Sequence, residues 1–442
     1  MVELKPTPER PPCFDPNDAR FWDPDDLEAE LRRVFEICHG CRMCVGYCPS
    51  FPFLFERIDE NHEQRAMAHS AVTLDAGDLR TVTDLCFQCK LCYVKCPYTP
   101  EDPGSTWLVD FPRLLWREKT VRTRREGLSL QERVLGEPGL LGALNAGPQA
   151  GLVNFVSAQA LVRKAMDKVA GIAPEFPLPT YASQPFSRWF KRRPKGEGNA
   201  GGVALFSTCL VEYNRPRTGR AAVAVLEHAG LSVTLPEQGC CGMPTMDTGD
   251  WDSLREKARY NVERLVEEVR AGRDIVCPGP SCSMTLKKEY PELLGSPEAA
   301  LVASHTFDLM EYLAKLDRAG TLPRNFVKSL GKIAYHAPCH LRAQRIATPT
   351  RGLLEQVPDT EVTVVEQCSA VDGTWGMKSQ YYDLGVRYSR KLVRGIRDAE
   401  AAHVASDCPL ASQRIAKENG VAVSHPVELL ALAYGLDPDK GG

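Results

Sequence analysis

Two runs of cysteines near the N-terminus have a spacing that suits iron binding. Each run reads C-x2-C-x2-C-x3-C-P; the first ends at Cys48 and Pro49, and the second ends at Cys96 and Pro97. In such a run three closely spaced thiolates bind three irons of a 4Fe–4S cluster, while the fourth cysteine typically binds the neighbouring cluster. The pattern therefore predicts two 4Fe–4S clusters that exchange their fourth ligands.

The exchange defines a predicted ligand set for each cluster. One set is Cys38, Cys41, Cys44 and Cys96, and the other is Cys86, Cys89, Cys92 and Cys48. Zinc is the alternative metal, but a zinc site uses four cysteines in two pairs, which two copies of this pattern do not resemble. Two clusters close together form an electron relay, so electron transfer is the predicted use of this region.

Eight further cysteines follow predicted strands in an α/β region after Gly202. They are Cys209, Cys240, Cys241, Cys277 and Cys282, and then Cys339, Cys368 and Cys408. Corresponding cysteines recur after about 130 residues, which indicates two copies of one α/β unit. Because ligands bind at the carboxyl edge of open α/β sheets, each copy is expected to gather its cysteines into a metal site.

The remaining composition excludes several classes of protein. The 442 residues include 54 Lys and Arg against 57 Asp and Glu, so the chain is not expected to be a nucleic-acid binder or a polybasic membrane protein. No window approaches 18 uninterrupted apolar residues and the N-terminus has no secretory pattern, so a cytoplasmic protein is expected, with a peripheral position on the inner face of the membrane left open. In a reducing compartment, metal binding is a better use for 17 cysteines than disulfides.

The segment between the two regions, 111–200, is predicted to be a helical basic linker. Its clustered basic residues are Arg113, Arg117, Lys119, Arg122, Arg124, Arg125 and Arg133. They are interpreted either as a solvated helix face or as a docking surface for an acidic redox partner.

The aromatic and basic stretch Phe186–Lys195 is a candidate for contact with an anionic membrane or for the end of a linker against a partner subunit. Gly196, Gly198 and Gly201 fit a dinucleotide-binding pattern by letter, but they precede a strand and are interpreted as linker.

The combined motifs resemble known iron–sulfur subunits. The doubled cysteine run, with its helical insert, is similar to the α-helical ferredoxin domain of succinate dehydrogenase iron–sulfur subunits and of the heterodisulfide reductase C subunit. The stretches EQGCCGMP, PSCSMTLKKEYP and HAPCHLRAQ resemble the cysteine-rich CCG domain of the heterodisulfide reductase B subunit. Over residues 30–436 the chain resembles the family of the anaerobic glycerol-3-phosphate dehydrogenase C subunit.

The resemblance implies a fold class and a division of the chain. We expect an α-helical ferredoxin domain at 1–110, the basic linker at 111–200, and a duplicated α/β (CCG-type) domain with modules at 201–330 and 331–442. The modules of heterodisulfide reductase hold non-cubane iron–sulfur clusters with five cysteine ligands each, and the first module here offers five cysteines.

The second module departs from that pattern, because Ser369 stands where a second adjacent cysteine is expected. Its three cysteines are compatible with an iron–sulfur cluster, a zinc ion or no metal. Its candidate completing ligands are Asp372, Asp407, His336 and His340. The two histidines are equally consistent with ordinary buried residues near a strand end.

These patterns favour an iron–sulfur oxidoreductase subunit that transfers electrons. It would accept them from a flavoprotein dehydrogenase or another redox partner and pass them to a CCG-domain cluster and on to a quinone or another acceptor. Two alternatives remain open: a terminal reductase acting on a thiol, disulfide or protein partner at the CCG site, and a redox-active scaffold that anchors a dehydrogenase to the membrane. The sequence identifies no catalytic residue, and Cys13, outside every motif, is interpreted as an incidental thiol.

Overall fold

The chain folds into two compact units. The computed structural model describes residues 7–194 and 201–439. The first unit comprises Met1–Leu128 and Met246–Trp251, and the second comprises Ser129–Thr245 and Asp252–Gly442. The first unit thus continues to Leu128 and not to the predicted boundary at 110, because the helix after that boundary packs with the helices before it.

The described part of the first unit is built from helices. They are α1 (Pro24–Cys41), α2 (Ser50–Arg65), α3 (Ala76–Asp84), α4 (Leu91–Lys95) and α5 (Phe111–Glu126), with 3-10 turns at Ala19–Trp22 and Ala71–Thr73. Asp23 caps α1 by accepting hydrogen bonds from N–H groups of the first turn, and Pro24 occupies the first helical position. Leu27, Leu31 and Val34 recur with helical spacing and are buried. This packed face fixes the end of α1, where the first cysteine run begins.

Two basic residues of α5 are structural. Arg117 is fully buried, and its guanidinium donates to the carbonyl oxygens of Phe21 at 2.8 Å and Arg20 at 2.6 Å. Arg122 is also buried and forms an ion pair with Asp84 at 2.6 Å. For these two residues neither the solvated-face nor the docking-surface interpretation is right.

The second unit contains two four-stranded parallel sheets. The first has β1 (Gly202–Leu205), β2 (Ser232–Thr234), β3 (Asp274–Cys277) and β4 (Thr306–Asp308), and the second has β5 (Gly331–His336), β6 (Thr360–Val365), β7 (His403–Ser406) and β8 (Val423–Ser424). The spatial orders are β2-β1-β3-β4 and β6-β5-β7-β8, so every strand has a counterpart in the other sheet. The predicted duplication is therefore confirmed.

Helices alternate with the strands of both sheets, and helices also make up the segment that precedes the first sheet. After Leu128 they are α6 (Leu130–Leu135), α7 (Pro138–Asn145), α8 (Ala150–Ser157), α9 (Ala160–Ala170), α10 (Phe186–Arg192), α11 (Cys209–Tyr213), α12 (Pro216–His228), α13 (Met243–Asp247), α14 (Trp251–Arg270), α15 (Pro280–Met284), α16 (Tyr290–Leu294), α17 (Pro297–Ser304), α18 (Leu309–Arg318), α19 (Cys339–Ala343), α20 (Thr348–Leu354), α21 (Tyr382–Asp398), α22 (Pro409–Asn419) and α23 (Pro426–Ala433). A π-helical turn, Thr285–Glu289, joins α15 to α16. Nowhere in 7–194 or 201–439 is a helix both long enough and apolar enough to cross a bilayer.

The two α/β modules share one hydrophobic core. Helix α12 of the first module packs against α23 of the second, and α20 of the second packs against α18 of the first. These contacts are reciprocal, because α12 corresponds to α20 and α18 corresponds to α23. Val203 and Leu205 of β1 lie in the same buried cluster as Ile333 and Tyr335 of β5. Burial of this apolar surface stabilises the modules as a pair.

The aromatic and basic segment that is a candidate for membrane contact or for the end of a linker packs its aromatic side chains against this core. Helix α10 buries Phe186 and Trp189 in the shared cluster. The guanidinium of Arg193 lies over the ring of Phe190, 4.2 Å from its centroid. The membrane-contact alternative is therefore wrong for the buried side chains of Phe186 and Trp189. The last residue of this segment and the first two glycines of the linker pattern lie outside the described residues: Lys195, Gly196 and Gly198.

Candidate functional site

The first cysteine run and Cys96 line one cavity of the first unit. Cys38, Cys41, Cys44 and Cys96 all form part of its wall, together with Tyr98. Burial raises the pKa of the Cys38 thiol well above its usual value, and the neighbouring thiols of Cys44, Cys96 and Cys41 raise it further. Four convergent thiols are the donor set that an iron–sulfur cluster requires, and these residues are the first predicted ligand set.

Cys48 lies with the second run. The pKa of the Cys92 thiol is raised first by burial and then by the neighbouring thiols of Cys89, Cys86 and Cys48. The thiol of Cys44 also contributes to this shift, so the two sets are adjacent. The fold thus brings together the four cysteines of the second predicted set.

Left-handed backbone positions turn the chain at these cysteines. Arg42 ends α1 with φ 54°, so the chain leaves the helix directly after Cys41. Lys90, with φ 58°, precedes α4, which carries Cys92 in its first turn and ends at Lys95, directly before Cys96. Arginine and lysine are not typical of left-handed positions, so the sequence did not indicate these turns.

A histidine pair near the first run belongs to a polar network that cysteine spacing did not indicate. The Nε2 atoms of His39 and His69 lie 3.0 and 2.8 Å from Oδ1 of Asp59. Arg42 donates to both carboxylate oxygens of Asp59, at 2.7 and 3.0 Å. The guanidinium of Arg42 holds the pKa of the Asp59 carboxyl well below its usual range. Because the carboxylate already has a cationic partner, the group is an ion-pair network and not a preformed metal site.

The five cysteines of the first module converge at the carboxyl edge of its sheet. Cys209 begins α11, Cys277 ends β3 and Cys282 lies in α15. The thiols of Cys209, Cys240, Cys241 and Cys282 lie close enough to shift one another's pKa. Their interactions lower the pKa of Cys240 and raise that of Cys209. Five convergent thiols exceed the four ligands of a tetrahedral zinc and suit an iron–sulfur cluster.

Two buried side chains outside the cysteine motifs hold the backbone of Cys240 and Cys241. The Nδ2 amide of Asn261 donates to the carbonyl oxygen of Cys240 at 3.1 Å, and its Oδ1 accepts from the N–H of Gly239 at 2.8 Å. The Tyr290 hydroxyl donates to the carbonyl oxygen of Cys241 at 2.9 Å. Both side chains are fully buried. Neither residue belongs to a cysteine motif, which is why the spacing of the cysteines did not reveal them.

The residue before Cys209 has a strained backbone. Thr208 adopts φ 66° and ψ 154°, a conformation that β-branched residues rarely adopt. Its Oγ1 accepts a hydrogen bond from the N–H of Val211 at 3.3 Å and so caps α11. At the equivalent position of the second module, Pro338 precedes Cys339 with an ordinary φ of −64°. Of these two positions, the one with a strained backbone is Thr208, in the five-cysteine module.

The three cysteines of the second module also converge. Cys339 begins α19, while Cys368 follows β6 and Cys408 follows β7. Burial raises the pKa of the Cys339 thiol well above its usual value, and the thiols of Cys368 and Cys408 and the carboxylate of Asp372 raise it further. The backbone N–H of Ala370 donates to Sγ of Cys368 at 3.2 Å. The three thiols and Asp372 therefore form one group.

Two other candidate ligands of this module have close protein partners. His336 is buried, with Nδ1 2.9 Å from Oγ of Ser406 and Nε2 3.1 Å from the carbonyl oxygen of Gln367. Both ring nitrogens are engaged, as expected of an ordinary buried histidine. Oδ2 of Asp407 accepts from the Tyr335 hydroxyl at 2.7 Å, and burial raises the pKa of Asp407 to about 7.

The cysteine-bearing turns of the two modules meet through the last candidate. His340, next to Cys339, places Nδ1 2.8 Å from Oγ of Ser281, which is next to Cys282. Helix α15 packs against α19 along this contact. His340 thereby joins the two modules.

Comparison with known proteins identifies the family. Residues 31–125 match the citrate utilization protein B Fer4-like domain, and residues 203–287 and 333–410 match the cysteine-rich domain. The C subunit of anaerobic glycerol-3-phosphate dehydrogenase from Escherichia coli (strain K12) is 32% identical over 310 residues, which are 69% of this chain and 77% of that protein. The chain belongs to the family of this C subunit.

Other relatives match shorter parts of this chain. The B subunit of fumarate reductase (CoM/CoB) from Methanothermobacter marburgensis is 32% identical over 257 residues, 55% of this chain and 48% of that protein. Lactate utilization protein A of Bacillus pumilus (strain SAFR-032) is 32% identical over 186 residues, 40% of this chain and 75% of that protein. The resemblance inferred from the motifs is confirmed. The Fer4-like and cysteine-rich domains indicate that this C-subunit homologue carries iron–sulfur clusters.

No two of the 17 cysteines, all of which lie in the described residues, form a disulfide. Cys13, the cysteine outside every motif, is buried. Burial is the main cause that raises the pKa of its thiol, and the nearby carboxylate of Asp18 raises it further.

Proposed function

We propose that the chain is an iron–sulfur electron-transfer subunit of an oxidoreductase complex. The observation that carries the proposal is the pair of adjacent four-thiol sets in the first unit, each completed by the fourth cysteine of the other run. The proposed ligands are Cys38, Cys41, Cys44 and Cys96 for one 4Fe–4S cluster, and Cys86, Cys89, Cys92 and Cys48 for the other. When bound, such clusters supply reversible one-electron carriers.

The residues around these thiols support an electron-transfer role. Cys48 and Cys92 are buried, and the apolar side chains of Phe51 and Phe55 line the cavity of the first set. A dry, apolar environment limits solvent access, which tunes the reduction potential of a bound cluster. A purely structural metal site would not need two adjacent thiol sets.

For the second unit we propose an iron–sulfur cluster in the first module and a smaller ligand set in the second. The five thiols of the first module suit a non-cubane 4Fe–4S cluster. The three thiols of the second module suit an iron–sulfur cluster or zinc, and Asp372 is the proposed completing ligand because its carboxylate lies close enough to Cys339 to affect that thiol.

The partners proposed for the chain follow from its relatives. By name, one relative belongs to a glycerol-3-phosphate dehydrogenase and another belongs to a fumarate reductase. We propose that a flavoprotein dehydrogenase or another redox protein donates electrons to the chain, and that a quinone or another acceptor receives them.

Counting iron and sulfide after anaerobic purification tests the proposal. The two sets of the first unit predict about eight irons per chain, and the first module adds about four. Reductive titration followed by electron paramagnetic resonance should then resolve at least two interacting paramagnets. The variant Cys13→Ser is the matched control and should keep the full iron content. Fewer than about eight irons in the wild type would contradict the proposal.

A terminal reductase is the second candidate, favoured by the three-thiol group of the second module. A thiol or disulfide substrate would then react at the CCG domain. Replacing Cys240 and Cys241 by serine should abolish reduction of a candidate disulfide and leave dye reduction through the first unit intact. If both activities fall together, this candidate loses its support.

A further inference from the structure

Three consecutive helices of the second unit expose apolar side chains to solvent. The exposed residues are Leu140 and Leu144 in α7, Leu152, Phe155 and Val156 in α8, and Leu161 and Val169 in α9. Phe155 is 66% exposed and Leu161 is 80% exposed. Single exposed apolar residues are ordinary, but a group of this size on neighbouring helices marks an interaction surface.

The spacing of these residues gives each helix one apolar outer face. Leu144 lies four residues after Leu140, Phe155 and Val156 lie three and four residues after Leu152, and Val169 lies eight residues after Leu161. The opposite faces are held by the protein. A Cβ atom added to Gly142 of α7 would lie 2.2 Å from the ring of Tyr213, so that helix packs closely there. Asn154 of α8 donates to the carbonyl oxygen of Tyr181 at 2.8 Å. The orientation of the apolar faces toward solvent is therefore fixed by packing.

The exposed charged side chains of these three helices are positive. No charged residue occurs in the 25 residues 138–162. The next charged residues that α9 exposes are Lys164 and Lys168. Asp167, the acid of this helix, hydrogen-bonds to the Ser379 hydroxyl. Apolar side chains bordered by lysines are typical of a protein surface that lies in the interface of an anionic bilayer.

We propose that α7, α8 and α9 form the surface by which the chain lies on a membrane with anionic lipids. The apolar side chains enter the headgroup boundary, and Lys164 and Lys168 bind the anionic headgroups. The contact is peripheral, because these helices have only 8, 8 and 11 residues. The proposal does not depend on the electron-transfer function, and it assigns the contact to a different segment from the buried α10.

Co-sedimentation of the anaerobically purified protein with lipid vesicles tests the proposal. The wild type should bind vesicles of phosphatidylcholine with phosphatidylglycerol, and binding should weaken as salt is added. The variant L152S/F155S/L161S should bind these vesicles at least about tenfold more weakly. The variant K164Q/K168Q should lose affinity for anionic vesicles while its weak binding to pure phosphatidylcholine stays unchanged.

The control variant is Val327→Ser, because Val327 is an apolar residue of the same unit that is 67% exposed. It should bind like the wild type, and unchanged iron content and circular dichroism should show that every variant is folded. The proposal is overturned if the wild type binds neither vesicle or if L152S/F155S/L161S binds as the wild type does. It is also overturned if that variant only dissociates a dimer or a protein partner, since the surface would then be a protein interface.

Discussion

The hydroxyl of Tyr290 donates a hydrogen bond to the backbone carbonyl of Cys241 across 2.9 Å. The same hydroxyl accepts a hydrogen bond from the Nδ2 amide of Asn261, also at 2.9 Å, and both side chains are fully buried. The position of a proposed cluster ligand is therefore determined by the residue that begins α16, far along the chain from that cysteine.

Replacing Tyr290 by phenylalanine should remove the donor to the carbonyl of Cys241 in a dry environment and leave the amide of Asn261 with the carbonyl of Cys240 as its remaining acceptor. We expect the free energy of unfolding to fall by about 1–3 kcal/mol. Iron should also be lost from the first module more readily, which can be measured as the rate of iron release to a chelator. Tyr312→Phe is the control, since the side-chain contacts of Tyr312 are with Phe307 and Lys315. Equal behaviour of the two variants would show that the Tyr290 bond has no positioning role.

Pairwise alanine substitutions should reveal the exchange of the fourth cysteines. If Cys38 and Cys96 bind one cluster, C38A, C96A and C38A/C96A should each lose the same four or so irons. The pair C38A/C48A should instead lose about eight, because it affects both clusters. Iron analysis and electron paramagnetic resonance measure both results. The reverse pattern, with Cys38 and Cys48 acting together, would show that the ligands are not exchanged.

Arg117→Met should destabilise the first unit strongly. The buried guanidinium donates to two backbone carbonyls and forms an ion pair with Asp26 at 2.9 Å. Removing it deprives these acceptors of a buried, charged donor, and we expect a loss of about 3 kcal/mol in urea unfolding. Arg125→Met, on the exposed face of the same helix, should change stability by less than about 0.5 kcal/mol. Similar losses in the two variants would argue against a structural role for the buried arginine.

Stability should decrease in mild acid because of His425. Burial lowers the pKa of His425 from 6.5 to about 3, so the folded chain keeps this side chain neutral. Between these values the unfolded chain binds a proton that the folded chain does not, and stability is lost as pH falls, by up to about 1.4 kcal/mol per pH unit.

The variant His425→Asn should reduce this acid sensitivity. Asparagine can still accept the capping hydrogen bond from the N–H of Val427, which His425 accepts at 3.1 Å. Between pH 7 and pH 5 we expect the variant to lose about 2 kcal/mol less than the wild type in urea unfolding. His228→Asn is the control at a half-buried histidine. An unchanged pH slope in His425→Asn would contradict the argument.

Several elements were predictable because their signals are local. The cysteine spacing and the repeat of about 130 residues were both visible in the sequence. Strands β4 and β8 were missed because runs of three and two residues show no periodicity. The histidine candidates could not be resolved from the sequence, because the partners of His336 come from β7 and from the chain after β6.

Residue type and spacing by themselves determined that this protein has the cysteines for iron–sulfur clusters, arranged in a helical unit and a duplicated α/β unit. Only the tertiary structure decided which distant residues approach a motif, as Tyr290 does. It also decided which apolar residues are covered: Phe186 and Trp189 are buried, while Phe155 and Leu161 are exposed. Burial depends on which surfaces pack together, and the hydrophobic effect acts on apolar area without regard to its place in the sequence.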